Sequence, residues 1–286
     1  MERRLVIVTG PTAVGKTDYS IELALKYGSP VISCDSRQIY KEMKIGTAVP
    51  DASQLAAVKH YFIQTKTVEE LYTAGKYEEE ALELISSLFA EGRDTLVMSG
   101  GSGFYVEAVC SGLDNIPPAD EELRADLTAR AANEGVEPLR IELKRLDPEA
   151  YTAIDIKNPQ RLVRALEVCL LSGRPFSSYK LKSPKPRDFK IEKICLNRPR
   201  AELYSRIDQR VLKMIEDGLV EEVKSLEKYR SLPALRTVGY KEVFEMLDGG
   251  ISMDETVSKI QTATRRYAKR QITWWRRDPS VKWLDI

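Results

Sequence analysis

Residues 10–17 read GPTAVGKT and follow directly on the apolar run LVIVT. The stretch satisfies G-x-x-x-x-G-K-[ST]. In that spacing glycines let the backbone wrap tightly, so that successive N–H groups point at one anion. The helix that follows adds its positive N-terminal end, Lys16 a point charge, and the Thr17 hydroxyl a ligand for Mg2+. Such a loop belongs between a buried strand and a helix at the edge of a parallel sheet, which already narrows the fold to an α/β class.

The rest of the N-terminal half keeps that rhythm. RLVIVT, PVISCD and DTLVMSGG read as buried strands and HYFIQT as a further candidate; residues 15–27 and YEEEALELISSLFAEG read as helices. A break follows at LDNIPPADEELRADL, where Pro117 and Pro118 end one segment and Asp120 is placed to cap the next helix. The chain then reads as helical to about Gly173, and the connector KLKSPKPRDFK leads to a returning strand, IEKICLN. Long amphipathic helices are predicted over 199–226 and 252–276. The expected architecture is a P-loop NTPase-like parallel sheet core, residues 1–116 and 188–286, interrupted by a helical insertion domain over 117–187.

Composition excludes several classes. The chain has 286 residues, is 43% hydrophobic and carries a net charge of +1, so global charge names no partner. No apolar run approaches the ~20 residues of a membrane span. The N-terminal apolar stretch is too short for a signal peptide. The four cysteines, Cys34, Cys110, Cys169 and Cys195, are scattered without C-x-x-C pairing, and His60 is the only histidine. That fits a reduced, cytoplasmic setting and no zinc site. With no coiled-coil pattern, a monomer is the default expectation.

A nucleotide kinase or triphosphatase needs, besides the loop, an apolar strand ending in a metal-holding acid. TLVMSGG ends in Ser99, Gly100 and Gly101, without an acid. VISCDSRQIY ends in Asp35, followed by Ser36, Arg37 and Gln38, a cluster able to hydrogen-bond a planar base. Asp35 is either a proton acceptor at the carboxyl edge of the sheet, where ligands of open α/β sheets bind, or a cap for the next helix. The glycine turn SGGSGFY belongs on the same rim and makes Ser102 a candidate site residue.

Local charge is uneven. On a helix of 3.6 residues per turn, Arg265, Arg266, Lys269, Arg270, Arg276 and Arg277 of TATRRYAKRQITWWRR share an arc of roughly 140°. Ile260, Tyr267 and Trp274 fall opposite as the expected packing face. A one-sided basic stripe without acids suits a phosphate backbone. In NPQRLVRALEV, Arg161 and Arg164 share one helical face, either for RNA or for pairing with Glu167.

Together GPTAVGKT, SCDSRQIY, IGTAVP, GGSGFY, NPQRLVRALEV, TVGYKEV and TRRYAKRQITWWRR, running in this order from residue 10 to 277, resemble the tRNA dimethylallyltransferase family. The resemblance implies that Gly10, Pro11, Thr12, Ala13, Val14, Gly15, Lys16 and Thr17 hold the diphosphate of dimethylallyl diphosphate, with Mg2+ at Thr17. It implies transfer of the dimethylallyl group to N6 of the adenosine at position 37 of a tRNA anticodon loop, with release of diphosphate. Asp35 then matches the general base, and Arg236, just before TVGY, the arginine on the leaving diphosphate. Ser36, Arg37, Gln38 and Ser102 match positions that contact the target adenosine, Ser102 standing where Thr is usual. Arg124 and the segment Gln160, Arg161, Leu162, Val163 and Arg164 match tRNA-contacting sites, and Arg266 and Arg270 belong to the basic helix. The family commonly has two adjacent histidines where this chain has His60 alone, so no role is carried over there. Rival readings are an adenylate isopentenyltransferase acting on free AMP or ATP, a small-molecule P-loop kinase, and a non-enzymatic RNA-binding module.

Overall fold

The computed structural model describes residues 2–180 and 183–286; part of the Pro/Lys-rich connector therefore lies outside the described residues. Six strands form one all-parallel sheet: β1 (Arg4–Thr9), β2 (Val31–Ser33), β3 (His60–Tyr61), β4 (Thr95–Ser99), β5 (Lys190–Asn197) and β6 (Val281–Asp285), in the order β3-β2-β4-β1-β5-β6. β1 lies at the centre, in register with β4 from Arg4↔Thr95 and with β5 from Arg4↔Lys190.

Side chains alternate across a strand, and here both faces are covered, so the strands read as continuous apolar runs. Leu5, Ile7, Ile32, Leu96 and Met98 enter the core on one face; Val6, Val8, Val31 and Val97 enter that on the other. The first face packs against α3 (Ala74–Ala90) and α4 (Gly103–Ser111), the second against α1 (Lys16–Tyr27). Between β2 and β3 lies the short α2 (Ala52–Ala57), which opens on a capping box between Asp51 and Gln54.

The chain divides into two compact units, one of residues 2–111 and 186–286 and one of Gly112–Lys185. The smaller unit holds α5 (Glu121–Asn133), α6 (Glu137–Leu146), α7 (Pro148–Ala153) and α8 (Pro159–Ser172) around its own core of Leu127, Leu139, Leu143, Leu162 and Leu166. Asp120, as expected, caps α5 by accepting from the Leu123 N–H at 2.8 Å.

In the larger unit α9 (Arg200–Glu216), α10 (Leu219–Ser225), α11 (Tyr240–Leu247) and α12 (Met253–Trp275) follow β5. The single helix expected over 199–226 is two. Gly218, at φ 97°, turns the chain between α9 and α10. Strand β6, unforeseen in the sequence, extends the sheet beyond β5.

Candidate active site

Because every strand is parallel, the segments leaving β1, β2 and β4 emerge at one carboxyl edge: the loop at 10–17, the turn at Asp35, and the glycines after Ser99. They surround a cavity of about 600 Å3 in the larger unit. Thr12, Ala13, Gly15, Lys16 and Thr17 line it from the first loop, Asp35 and Gln38 from the second, and Ser99 and Gly100 from the third. Pro11 and Val14 are buried and do not line it; the Val14 N–H donates to the Pro11 carbonyl at 3.3 Å. Gly10 stands at φ 140°, and a Cβ there would lie 2.7 Å from the Leu196 carbonyl oxygen. Only glycine fits where β1 turns into the loop. Helix α1 begins at Lys16 without a side-chain cap, so its first N–H groups remain available to an anion.

The Lys16 ammonium donates to the carbonyls of Gly10 at 3.1 Å and Pro11 at 2.9 Å. Burial first, and then the nearby Arg210 charge, lower its pKa to about 8 against the opposing charge of Asp35. Two more cations converge from α9. The Arg206 Nε donates to the Ala13 carbonyl at 2.8 Å, and Arg210 reaches the Thr12 hydroxyl at 3.4 Å. Both line the cavity, and neither has a carboxylate within ion-pair distance among the described residues. Burial, reinforced by Arg206, holds the Arg210 pKa below its ordinary value. Three cations held around this loop and the uncapped start of α1 form an arrangement suited to a compact anion.

Asp35 closes a turn, not the helix start expected as the alternative, and also faces the cavity. Its Oδ1 accepts from the N–H groups of Arg37 at 2.9 Å and Gln38 at 3.2 Å, which closes the turn. Its other oxygen has no hydrogen-bond partner among the described residues, and the residue lines the cavity. The Ser102 hydroxyl lies one step behind: it accepts from the Ser36 N–H at 2.9 Å and donates to Ser36 Oγ at 3.0 Å, tying the two turns together. Gln38 spends its amide protons on the Thr47 and Ala48 carbonyls, at 3.0 and 2.8 Å. Arg37 is half-buried near Tyr40, Tyr105 and Tyr267.

Sequence reasoning missed much of the support. Gln271, nearly buried on α12, accepts the Thr12 N–H at 2.8 Å and donates to the Gly101 carbonyl at 3.0 Å, bridging the first loop and the third. Tyr267 lines the cavity; burial and then the Asp35 charge raise its pKa, so the phenol stays protonated. The spacing of Arg206 and Arg210 on one face of an amphipathic helix was the available signal for those two cations. Arg236, by contrast, is exposed, donates to the Ser231 carbonyl at 3.0 Å and does not line the cavity. His60 lines it, half-buried, with its Nδ1 2.8 Å from the Val58 carbonyl.

Helix α12 presents its other side to solvent. Arg266, Lys269, Arg270, Arg276 and Arg277 are exposed without acidic partners among the described residues. Two corrections apply to the expected stripe. Arg265 is half-buried and paired with Asp208 at 2.5 Å. Trp274 is 37% exposed and leans on Gly103, where a Cβ would meet its Nε1 at 2.3 Å; Trp275 is the tryptophan in the core. In the smaller unit, Arg124 and Arg164 both bind the fully buried Glu167, at 2.7 and 2.9 Å. Burial works to raise that carboxyl, but the hydrogen bonds from the two arginines outweigh it and hold the pKa low. Leu162 and Val163 are core residues there, while Gln160 and Arg161 are exposed.

The loop, the strand order and the ligand edge define a P-loop α/β protein built to hold a phosphorylated ligand. Residues 38–278 match the IPP transferase family. The chain is 48% identical to tRNA dimethylallyltransferase 2 of Porphyromonas gingivalis, over 99% of this chain and 94% of the relative. It is 44% identical to tRNA dimethylallyltransferase 1 of Bacteroides thetaiotaomicron, over 98% and 91%. The crystal structure of the full-length tRNA isopentenylpyrophosphate transferase from Bacillus halodurans superposes with a TM-score of 0.72 at 36% identity, covering 99% of this chain and 90% of that one. The chain belongs to the IPP transferase family.

Proposed function

We propose that the protein is a tRNA dimethylallyltransferase. It transfers the dimethylallyl group from dimethylallyl diphosphate to N6 of the adenosine at position 37 in the anticodon loop of its tRNA substrates. The observation that carries this reading is the cavity itself. Lys16, Arg206 and Arg210 line it together with Asp35, with no acid placed as a kinase would need at the end of β4.

The open N–H groups at the start of α1, with Lys16, Arg206 and Arg210, bind the donor diphosphate. As the allylic C–O bond breaks, negative charge grows on that diphosphate, and fixed cations stabilise it in the transition state. The adenine N6 forms the new C–N bond and becomes cationic. The oxygen of Asp35 not engaged in the turn takes the proton, and diphosphate leaves. The residues present fit Mg2+ bound in part through its substrate, since Thr17 lines the cavity and offers one hydroxyl beside the diphosphate position. The metal supplies further neutralisation of the leaving group. We assign to Arg206 and Arg210 the role that family resemblance placed on Arg236.

An adenosine inside an RNA loop reaches this edge only if its base is extruded. Ser36, Arg37, Gln38 and Ser102 surround the position it would take, and the exposed side of α12 with Arg266 and Arg270 follows the RNA phosphates. Arg124, Gln160, Arg161 and Arg164 of the smaller unit are further RNA contacts in this reading, Arg124 and Arg164 through whatever their bond to Glu167 leaves free.

The test is label transfer. Labelled dimethylallyl diphosphate and Mg2+ are incubated with tRNA, AMP or ATP, and the products are digested to nucleosides. Label on N6 of a tRNA adenosine is the expected result. Label on AMP or ATP would favour the free-nucleotide enzyme, and phosphate transfer from ATP would favour a kinase.

A further inference from the structure

Two stretches of the sequence, IGTAVP and TVGYKEV, have no chemistry assigned by the mechanism. The structure joins them through a residue outside both, Glu222 on α10. Its Oε2 accepts from the N–H groups of Lys44 at 2.9 Å and Ile45 at 2.7 Å. Its Oε1 accepts from the Gly46 N–H at 3.0 Å and from the Tyr240 hydroxyl at 2.6 Å. Four donors converge on one carboxylate. Tyr240 is wholly buried, and its ring occupies the space beside Gly46, where a Cβ would meet it at 2.5 Å. Gly46 is therefore required for close approach, with no help from an unusual φ. From the other side the Gln38 amide holds the next two carbonyls, those of Thr47 and Ala48, and Ala48 sits at φ 51°. The loop is thus gripped at five consecutive residues. It presents Ile45, Ala48, Val49 and Pro50 to the same cavity as Lys16 and Thr17.

We infer that Glu222 and Tyr240 are positioning residues for the prenyl donor. They hold an apolar wall against which the hydrocarbon tail rests while the phosphate loop holds its diphosphate. The inference rests on the reading of the cavity as a prenyl diphosphate site. A carboxylate suits the task because one rigid group accepts several N–H bonds at once. An amide in its place offers one acceptor oxygen and turns an NH2 toward backbone donors. A wall built this way also sets tail length, since apolar pockets discriminate by about 10- to 200-fold per methylene through fit alone.

The experiment uses the full chain and two variants, Glu222→Gln and Tyr240→Phe. For each, KM and kcat are measured with dimethylallyl diphosphate and with geranyl diphosphate, alongside Kd for tRNA and Tm. Glu222→Gln is expected to raise KM for dimethylallyl diphosphate about tenfold or more and to narrow the preference over the geranyl donor, with tRNA Kd within about twofold of wild type. Tyr240→Phe keeps the ring against Gly46 and loses one hydrogen bond, so the same changes are expected at smaller size. If Glu222→Gln fails to fold, Tyr240→Phe carries the test alone. A fall in Tm and in active fraction with unchanged KM and unchanged donor preference would overturn the inference and leave these residues structural. Wild type that transfers the label while both variants match it sinks this inference alone. Wild type that neither binds nor transfers the prenyl donor sinks the functional reading with it.

Discussion

The two basic regions of the larger unit are built in opposite ways. Around the cavity, Lys16, Arg206 and Arg210 are anchored to the loop beside them, two of them through its carbonyls, and burial works against the charge of Lys16 and Arg210. On α12 and just past its end, Arg266, Lys269, Arg270, Arg276 and Arg277 stand exposed without acidic partners among the described residues. The first arrangement suits a small anion of fixed geometry, held where the dielectric is low and each donor counts. The second suits a long polyanion whose affinity comes from many weak, screened contacts. Basic residues in a sequence are therefore not one signal, and their anchoring separates a cluster fixed around a cavity from a row of exposed charges.

Removing single cations sharpens that difference most. Arg206→Ala or Arg210→Ala is expected to lower kcat/KM for the prenyl donor by about 10²- to 10³-fold, the scale for loss of one fixed donor at a developing anion, while tRNA affinity holds. Arg236→Ala serves as the control and should change donor kinetics by less than about threefold, the scale of a surface change away from the chemistry. A large defect there with mild defects at Arg206 and Arg210 would reverse the assignment.

Asp35→Asn tests the one carboxylate that the mechanism uses in the cavity. It keeps the oxygen that closes the turn and loses the proton acceptor, so kcat should fall about 10²-fold or more with little change in tRNA binding. Near-normal turnover would leave Asp35 as a turn cap only.

Lys16 supplies a pH test. Its pKa of about 8 means that the free enzyme loses this charge as pH rises through that value. Above it, kcat/KM for the donor should fall toward tenfold per pH unit, because kcat/KM reports the free enzyme. The same shift acts on stability with the other sign. Between about 8 and the ordinary lysine value near 10.4 the unfolded chain binds more protons at this residue, so its contribution to stability rises with pH. A donor profile flat to pH 10 would contradict the burial of Lys16.

The smallest effect belongs to the smaller unit, where Arg124 and Arg164 are of a third kind, paired to a buried acid. Glu167→Gln is expected to lower stability by about 1–3 kcal/mol, the scale of hydrogen bonds to charged groups, measurable by denaturant unfolding. Because the folded carboxyl titrates lower than usual, its contribution is present above the ordinary glutamate range and fades as pH falls below it. An unchanged unfolding midpoint would make the pair ornamental and free Arg124 and Arg164 for RNA.

The contrast also explains what was legible in the sequence. The phosphate loop, β1, β2, β4 and the turn at Asp35 follow from local patterns, since each is an apolar run ending in turn chemistry. The bond from Gln271 to Thr12 spans the chain, and no periodicity announces it. Arg206 and Arg210 carry no local signal beyond charges on an amphipathic helix, because their contacts with the loop join residues nearly 200 positions apart. β6 is short, mostly exposed, and pairs only at one edge, so its residues carry little burial signal. The α12 pattern gave the exposed arc correctly, but not that Arg265 finds Asp208 or that Trp274 rests on a glycine, because both depend on neighbours distant in sequence.

One measurement addresses the division of labour directly: binding of dimethylallyl diphosphate and of tRNA to the same preparation across a salt series, for wild type and for the Arg266→Glu, Arg270→Glu double variant. The account predicts a steep loss of tRNA affinity with salt in wild type. In the variant the slope should be shallower by roughly 0.7 to 0.9 per lost phosphate contact, and affinity should drop alike for every tRNA, since phosphate contacts position and base contacts specify. Donor binding should be the same in both proteins at every salt concentration. An unchanged tRNA slope in the variant, or a donor affinity that falls with it, would contradict the separation of the two basic regions.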